Sequence, residues 1–515
     1  MTTFAYNVYD TNDSGQGSLR QAILDAYTIP GVNTITFEGE IFADGVPDTI
    51  TLTSGELMIA SELIIEGLGA EAIIVSGNNQ FPVFVVDDND YDSLSEVSIK
   101  GLTITEGQSG IVNRENLTVE NSVISHNRAG EGGGIENFGD LNLLNSTVSN
   151  NISEEDGAGV LNSGNLTVID SAIVGNESET EQGGGLYHVG NQMTVINSTI
   201  SENVAYGAAG ILNGGGSTAT ISHSTIYNNS SLADSGGIRN VGELSITHSI
   251  VAGNTATTDQ PDVDGYFVVS QGYNLIGTAT ESIGFTNGVN GDQVGTSSHP
   301  IDPLLGSLQN NGGFTETHAL LAGSPAIDAG DPDLTSLPEF DQRGSGFPRI
   351  LDGDNDGTAT IDIGAFESEF PPPTADIIGT PGDDHLRGTD NGEQIFGWAG
   401  DDHLRGRDGN DEIFGGPGDD RMRGDDDNDT LMGGPGDDRM LGGDGSDTFV
   451  LAAGEGTDII QDFELSEGDQ IGLAGGLQFS QLNFESDQIL LGTEVLAEVR
   501  GFDTSSLTSS NFVTI

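Results

Sequence analysis

Between Gly379 and Val450 the sequence repeats every nine residues, eight times in succession and without an insertion. Each unit begins with Gly, its sixth residue is acidic and its eighth residue is apolar. Odd units such as GGPGDDRMR alternate with even units such as GDDDNDTLM, so the full period is eighteen residues. A repeat this regular predicts a stack of similar turns, because one such unit cannot bury a core by itself.

The composition of this segment calls for a cation. It contains 17 Asp and 2 Glu but only 6 Arg, and two carboxylates about 4 Å apart repel by ~1 kcal/mol even in water. Ca²⁺ is bound by carboxylate and backbone carbonyl oxygens. The short Asp side chain holds its carboxylate close to a turn at which Gly leaves the carbonyls accessible. We therefore predict that calcium supplies most of the folding free energy of the segment.

The predicted calcium ligands form three groups. If each ion lies between units i and i+2, eight units give at most six sites, three on each side, and Glu393 should weaken the first even site. The sixth-position ligands are Asp384, Asp402, Asp411, Asp420, Asp429, Asp438 and Asp447. The fifth-position ligands of the odd units are Asp383, Asp401, Asp419 and Asp437. The first-position glycines are Gly397, Gly415 and Gly433.

These units resemble the nonapeptide repeats of the RTX calcium-binding proteins, with the pattern G-G-x-G-x-D-x-U-x, over about 379–450. The resemblance implies a parallel β-roll and export by type I secretion with an uncleaved C-terminal signal. The following GTDIIQDFELSEGDQIGL and the final FDTSSLTSSNFVTI are similar to the tails of that family. The alternative, a solvated and disordered acidic tail, is disfavoured because random acidity would not keep phase.

A second repeat system, with a period of 24 to 27 residues, runs from Leu117 to Asn254. Its alternating apolar residues predict short strands with one buried face, and this length suits one coil of a parallel β-helix. The motif Gly-Ile/Val/Leu-x-Asn-x-Gly closes the first five coils, with His188 in place of Asn in the third. An Asn ten residues into each coil should form an internal amide ladder. These residues are Asn127, Asn151, Asn176, Asn203, Asn229 and Asn254.

Both ends of this repeat system carry further signals. A helical pattern starting at Gly17 should cover the open end of the β-helix, since an uncovered coil is an exposed sheet edge. The opening DTNDSGQGSLRQAI and the closing DPLLGSLQNNGGFTETHALLAGSPAIDAG and TIDIGAFE resemble the bacterial choice-of-anchor group of surface proteins. That resemblance implies a right-handed parallel β-helix joined to an attachment device, which here is the calcium roll.

We therefore predict an all-β chain, a right-handed parallel β-helix of the pectin-lyase-like type followed by a parallel calcium β-roll. The expected boundaries are 1–369 for the β-helix with its cap and irregular closing region, 370–376 for a Pro-rich linker, 377–453 for the roll, and 454–515 for a C-terminal cap and secretion signal. Asp352, Asp354 and Asp356 have EF-hand-like spacing, for which a second calcium loop and a solvated turn are the two alternatives.

Composition limits the partners. The net charge of −67 disfavours nucleic acid and anionic membranes as partners, and the absence of Cys excludes disulfides and thiolate zinc sites. No apolar run is long enough to span a membrane, and the N-terminus lacks the features of a classical signal peptide. The expected partners are calcium, the type I secretion machinery and an extracellular or cell-surface polysaccharide, with the protein outside a bacterial cell or on its surface.

Two classes of function remain open. The first is a secreted, calcium-binding structural or adhesion-type surface protein. The alternative is a uronate lyase or epimerase-like enzyme that uses a β-helix groove, although bases are scarce where proton abstraction from a uronate needs them, and we assign no catalytic residue. One register could be a sugar-binding or catalytic line, with a polar strand edge as the plainer explanation. Its residues are Asn121, Asn145, Asp170, Asn197, His223 and His248.

Overall fold

The computed structural model describes most of the chain. The described residues are 4–39, 41–42, 45–90, 94–257, 261–279, 284–321, 324–332, 338–351, 359–368, 377–380, 382–398, 400–474, 477–492 and 494–514. Asp352, Asp354 and Asp356 and the linker 370–376 lie outside them. Within these ranges no helix is long and apolar enough to cross a membrane.

Three long parallel sheets form the first part of the chain, which is a parallel β-helix. The first sheet contains Ala5–Val8, Asn33–Phe37, Leu63–Glu66, Glu96–Lys100, Asn116–Glu120, Asp140–Leu144, Asn165–Ile169, Gln192–Ile196, Thr218–Ser222, Glu243–Thr247 and Val268–Gly272. The second contains Leu57–Ile59, Phe84–Val86, Ile111–Asn113, Ile135–Asn137, Val160–Asn162, Leu186–His188, Ile211–Asn213, Ile238–Asn240 and Val263–Gly265. The third contains Asp48–Thr51, Ile73–Ser76, Thr103–Thr105, Val123–Ser125, Thr147–Ser149, Ala172–Val174, Thr199–Ser201, Thr225–Tyr227, Ile250–Ala252, Leu275–Ile276 and Gln293–Val294.

A short fourth sheet lies beside these three. Its strands are Arg128–Ala129, Ile152–Ser153, Glu177–Ser178, Val204–Ala205 and Ser230–Ser231. Like residues stack from coil to coil, since Leu117 pairs with Leu141 and Leu141 with Leu166. These side chains are buried in one continuous apolar core, as the alternating pattern predicts.

The predicted Asn ladder is present inside the β-helix. The side-chain amide of Asn127 donates to Asn151 Oδ1 at 2.9 Å, and the same bond recurs at every coil until Asn254 donates to Asp262. A second ladder of the same kind begins at Asn113 in the closing motif. Buried amide groups are costly without partners, so these ladders fix the register of the stack.

The predicted cap is the helix Leu19–Tyr27, which begins at the N-cap Ser18. Its buried residues are the four that gave the helical spacing, Leu19, Ala22, Ile23 and Ala26. They join the main core of the β-helix, so the helix covers the first coil and protects its sheet edge.

The closing segment lies within residues 302–368, and its described parts pack along the outer face of the third sheet. It contains the hairpin Leu305–Gln309 and Thr317–Leu320. Thr199 donates to Gln342 at 2.6 Å, and the backbone N–H of Ala365 donates to Thr225 at 3.0 Å. The Arg343 side chain lies between the rings of Phe347 and Phe366, 3.9 Å from each centroid. The segment therefore covers one flank of the β-helix.

Two sheets form the last part of the chain, one for the even units and one for the odd units, and their strands are parallel except for the antiparallel pairs among the last three strands of the odd sheet. The even sheet contains Ile377–Ile378, Gln394–Phe396, Glu412–Phe414, Thr430–Met432, Thr448–Leu451, Gln470–Leu473 and Phe512–Thr514. The odd sheet contains His385–Arg387, His403–Asp408, Arg421–Asp426, Arg439–Asp444, Asp458–Ile460, Glu494–Val499, Gln488–Leu491 and Leu482–Glu485. Three 3₁₀ turns, Phe479–Gln481, Thr504–Ser506 and Ser509–Asn511, lie among the last strands.

The register of this second stack is eighteen residues, since Leu404 pairs with Met422 and Ile413 pairs with Leu431. The eighth-position side chains form a narrow core. The architecture is a β-roll, and the prediction of an all-β chain with a parallel β-helix followed by a parallel roll is confirmed.

Candidate metal centre

The sixth-position carboxylates of the roll form a buried ladder. Asp420 Oδ1 accepts the backbone N–H of Asp402 at 2.7 Å, and Asp438 Oδ1 accepts that of Asp420 at 2.8 Å. The even units repeat this arrangement at Asp411 and Asp429. One oxygen of each carboxylate is thus bonded to the neighbouring coil.

The second oxygen of these carboxylates has no hydrogen-bond donor. It is buried and lacks any partner in five units. A buried, unpaired carboxylate oxygen is strongly unfavourable, so a cation is the natural partner. The five residues are Asp402, Asp411, Asp420, Asp429 and Asp438.

The first-position glycines leave room beside these oxygens. A Cβ atom on Gly415 would lie 2.1 Å from Asp420 Oδ2 and 2.6 Å from the carbonyl oxygen of Gly433, one coil further on. The carboxylate oxygen and the carbonyl oxygen therefore face the same small space. The same arrangement recurs at Gly397, Gly406 and Gly424. Oxygen ligands of these two kinds suit Ca²⁺, and the residues present fit this ion.

The predicted glycines all take part in this geometry. The carbonyl oxygens of Gly415 and Gly433 face the Oδ2 atoms of Asp402 and Asp420, and that of Gly397 faces Asp384 across Gly379. In the odd and even units together, an acidic side chain and a glycine carbonyl oxygen face each other in this way at six positions. The first two of these acidic residues differ from the other four in their hydrogen bonds. The six acidic residues are Asp384, Glu393, Asp402, Asp411, Asp420 and Asp429.

In the first odd unit and the first even unit, the acidic side chain already accepts hydrogen bonds from a residue of its own turn. Asp384 Oδ2 accepts the hydroxyl of Thr380 at 2.9 Å as well as its backbone N–H. Glu393, whose side chain is one carbon longer, accepts the backbone N–H of Thr389 at 3.0 Å and also its hydroxyl. Because these oxygens have donors already, a cation at either position would have to displace them.

The ladder continues past the last nonapeptide, which sequence reasoning missed. Asp458 Oδ1 accepts the backbone N–H of Asp438 at 3.2 Å, and Asp469 Oδ1 accepts that of Asp447 at 3.0 Å. Asp458 follows Asp438 by twenty residues and Asp469 follows Asp447 by twenty-two, so neither fits the eighteen-residue period of the repeat. The sequence does contain a pattern that could have predicted these two residues, namely an Asp followed two residues later by Ile, as in Asp458 and Ile460.

The fifth-position residues make a separate, exposed ladder. Asp401 Oδ1 accepts the backbone N–H of Asp419 at 3.0 Å, and Asp419 Oδ1 accepts that of Asp437 at 2.9 Å. Asp383 holds the N–H of Asp401 in the same way. These side chains lie at the turn surface, apart from the buried Oδ2 atoms. That they bind calcium stays a prediction.

Burial makes the sixth-position acids weak. It raises the pKa of Asp420 to about 9 and that of Asp429 to about 8, with neighbouring carboxylates adding to the effect. Among the described residues no three His, Asp or Glu side chains converge as a metal-binding group. A cation here therefore needs backbone carbonyls to complete its coordination.

Backbone conformation explains the line of Asn, Asp and His residues from Asn121 to His248 in the β-helix, which the sequence offered as a sugar-binding or catalytic line. All six residues have a positive φ, from 45° at Asn145 to 53° at Asn197, and Asn, Asp and His are the side chains that best tolerate this region. The closing segment also covers the later part of the register, leaving His223 6% and His248 3% exposed, whereas Asn121 is exposed. Burial lowers the pKa of His223 to about 2 and that of His248 to about 4. These two histidines are therefore buried and neutral.

A known family of calcium-binding repeats matches the part of the chain that forms the roll. The model of the RTX calcium-binding nonapeptide repeat matches four times, at 378–413, 396–431, 414–449 and 423–460. This part of the chain is thus an RTX calcium-binding repeat region. No curated protein matches the chain.

Two solved structures are similar to parts of the chain. Pectate lyase Pel9A matches with 16% identity over 72% of this chain and 97% of its own, at a TM-score of 0.46. The AlgE6R3 subunit of the Azotobacter vinelandii mannuronan C5-epimerase matches with 27% identity over 28% of this chain and 86% of its own, at a TM-score of 0.18. The description of the fold rests on the sheets themselves.

Proposed function

We propose that this protein is a secreted structural or adhesion-type surface protein whose roll folds when it meets calcium outside the cell. The observation that carries the proposal is the stack of five buried, unpartnered Oδ2 atoms, four of which face a glycine carbonyl of the next coil. Without a cation such a stack is unfavourable, and the roll would remain unfolded during export. Calcium binding would then make folding favourable only after export.

The regularity of the β-helix supports a structural role for that part. Its coils stack in register from Asn116–Glu120 to Glu243–Thr247, and its internal polar groups are used in ladders. The register that an enzyme could have used as a catalytic line serves as a left-handed turn, and the closing segment covers it at Asn197, His223 and His248. An enzyme of the uronate lyase or epimerase type would have to use the uncovered start of this register, at Asn121 and Asn145, or another surface.

The division into regions is also proposed. The roll at 377–453 and the cap at 454–515 share one apolar core that runs from Ile395 to Leu507, which favours their folding together. The β-helix, expected at 1–369, has a separate core. Type I secretion would read the C-terminal part before calcium folds it.

The experiment is a calcium titration of the full-length protein, followed by circular dichroism and by the fluorescence of Trp398, the only Trp of the chain. Trp398 lies in the third unit and packs against the apolar cluster of the closing segment. We expect β signal and a fluorescence change to appear together in millimolar calcium and not in magnesium, because Mg²⁺ dehydrates reluctantly. Identical spectra with calcium and with a chelator would refute the proposal.

A further inference from the structure

The outer face of the odd sheet concentrates the positive charge of a very acidic protein. All six Arg residues of the nonapeptide units lie on this face or at its margin, in a chain with 14 Lys and Arg in total. In the strands His403–Asp408 and Arg421–Asp426, the first and third residues are exposed and the second and fourth are buried. We define the six residues as the arginine face. They are Arg387, Arg405, Arg407, Arg421, Arg423 and Arg439.

The register places these bases in two columns across the strands. The first column, at the seventh position of the odd units, runs through His385, His403, Arg421 and Arg439. The second, at the ninth position, runs through Arg387, Arg405 and Arg423 to Leu441. Neighbours in a column are about 4.8 Å apart, and the columns are roughly 7 Å apart. Like charges directly opposite each other in a sheet are unfavourable, so local folding does not explain this arrangement.

Part of the face is held by ion pairs with carboxylates, and part is not. Asp425 lies between Arg405 and Arg423 and forms an ion pair with each, while these side chains remain 45% and 53% exposed. Among the described residues, no carboxylate lies within ion-pair distance of Arg387, Arg421 or Arg439. A groove of about 330 Å³ runs between the bases, with Arg421 and Arg439 in its lining.

Acidic columns border the basic columns on both sides. The exposed fifth-position acids, such as Asp401 and Asp419, lie on one side. The exposed third-position acids of the even units, such as Asp408 and Asp426, lie on the other. The positive strip is therefore only about two side chains wide and extends across the strands. A broad polyanion such as duplex nucleic acid would meet the acidic borders, whereas a single thin chain would not.

We propose that the arginine face binds a linear polysaccharide carrying carboxylate or sulfate groups, lying along the stack axis. Guanidinium groups form paired hydrogen bonds with such anions, and the regular column spacing matches a polymer with a regular repeat of charge. This inference rests on the proposed function, because the face exists only when calcium has folded the roll. It gives the roll a second role, as a ligand-binding surface as well as an attachment device.

The test compares two triple variants of the full-length protein in saturating calcium. The first is Arg387→Gln, Arg421→Gln and Arg439→Gln, which removes the bases that have no ion pair. The matched control is Lys100→Gln, Arg128→Gln and Arg239→Gln, which removes the same charge from ion-paired, partly or fully exposed positions of the β-helix. Binding is measured by isothermal calorimetry with polygalacturonate, dextran sulfate, neutral dextran and single-stranded DNA.

We expect the wild type and the control to bind polygalacturonate or dextran sulfate, and the roll variant to bind about tenfold more weakly. Neutral dextran should not bind, and the polymer that binds more tightly identifies the anionic group. Equal loss in both variants, or no binding by the wild type, would overturn the proposal, as would a preference for DNA. Unchanged calcium-induced fluorescence of Trp398 in the roll variant shows that the roll is folded. A failure of folding in the wild type would instead refute the proposed function.

Discussion

The β-helix and the roll are built alike, as parallel strands stacked in register around buried ladders of polar side chains, but the ladder residues differ. In the β-helix, Asn176 accepts with Oδ1 and donates with its amide to Asn203. In the roll, Asp420 accepts with Oδ1, and its other oxygen has no partner. An amide both donates and accepts, whereas a carboxylate only accepts. An Asn ladder is therefore complete by itself, and an Asp ladder needs a cation.

The apolar core is also larger in the β-helix than in the roll. The β-helix coils contribute residues from three sheets to one large core. Each roll unit contributes mainly its eighth residue, such as Leu431 or Met440. The β-helix should therefore fold without metal, and the roll should depend on it. The following experiments test that contrast, beginning with the largest effect.

Replacing one ladder Asn by Asp should place in the β-helix a buried carboxylate without a full set of hydrogen-bond donors, as in the roll. Asn176→Asp removes the amide that donates to Asn203 and to the carbonyl oxygen of Val148 at 2.9 Å and buries a carboxylate there. We expect a loss of about 3–5 kcal/mol in the free energy of unfolding, measured by urea denaturation. The control is Asn121→Asp, at a register where another coil has Asp170. An equally large loss in the control would contradict the explanation.

Filling the space beside a roll carboxylate should abolish the site. In Gly415→Ala the new Cβ would meet Asp420 Oδ2 at 2.1 Å and the Gly433 carbonyl oxygen at 2.6 Å. We expect the calcium-saturated roll to lose about 1–3 kcal/mol, the usual cost of overpacking, in chemical denaturation. Gly382→Ala is the control, because a Cβ there meets nothing within 4 Å. Equal stability of the two variants would count against a site at this position.

Neutralising a central carboxylate should act more strongly than neutralising a terminal one. In Asp420→Asn the free oxygen is replaced, whereas in Asp384→Asn the oxygen already accepts hydrogen bonds from Thr380. We expect the calcium midpoint to rise about tenfold, equivalent to roughly 1.4 kcal/mol, for the first and less for the second. Circular dichroism in calcium titrations measures both midpoints. Equal midpoints would argue against sites shared between units i and i+2.

Acid should weaken the β-helix through its buried histidines. Burial lowers the pKa of His223 to about 2, below its unfolded value near 6.5. The stabilisation from the neutral form is therefore full above about pH 6.5 and falls as the pH decreases toward the folded pKa. Between pH 8 and pH 6 we expect a loss of about 1 kcal/mol from this residue. His223→Asn should remove that pH-dependent part in urea denaturation. Asn197 shows that Asn fits this turn.

The sequence by itself determined what repeats. The period of eighteen, the apolar eighth position and the Asn ladder are set by contacts between equivalent residues of adjacent coils. Such contacts recur at a fixed spacing, so they leave a pattern in the chain. Burial of Leu19 and Ile23 on one face of the cap followed from helical spacing in the same way.

Only the tertiary structure decided what does not repeat. Thr315 contacts Asp170 and Gln342 contacts Thr199, pairs more than 140 residues apart, and no period indicated that the closing segment covers His223 and His248. The structure also decided which carboxylate oxygen is left without a donor. The reason is physical: a repeat fixes the spacing of side chains along the stack, whereas the partner of a single atom depends on which distant segment packs against it.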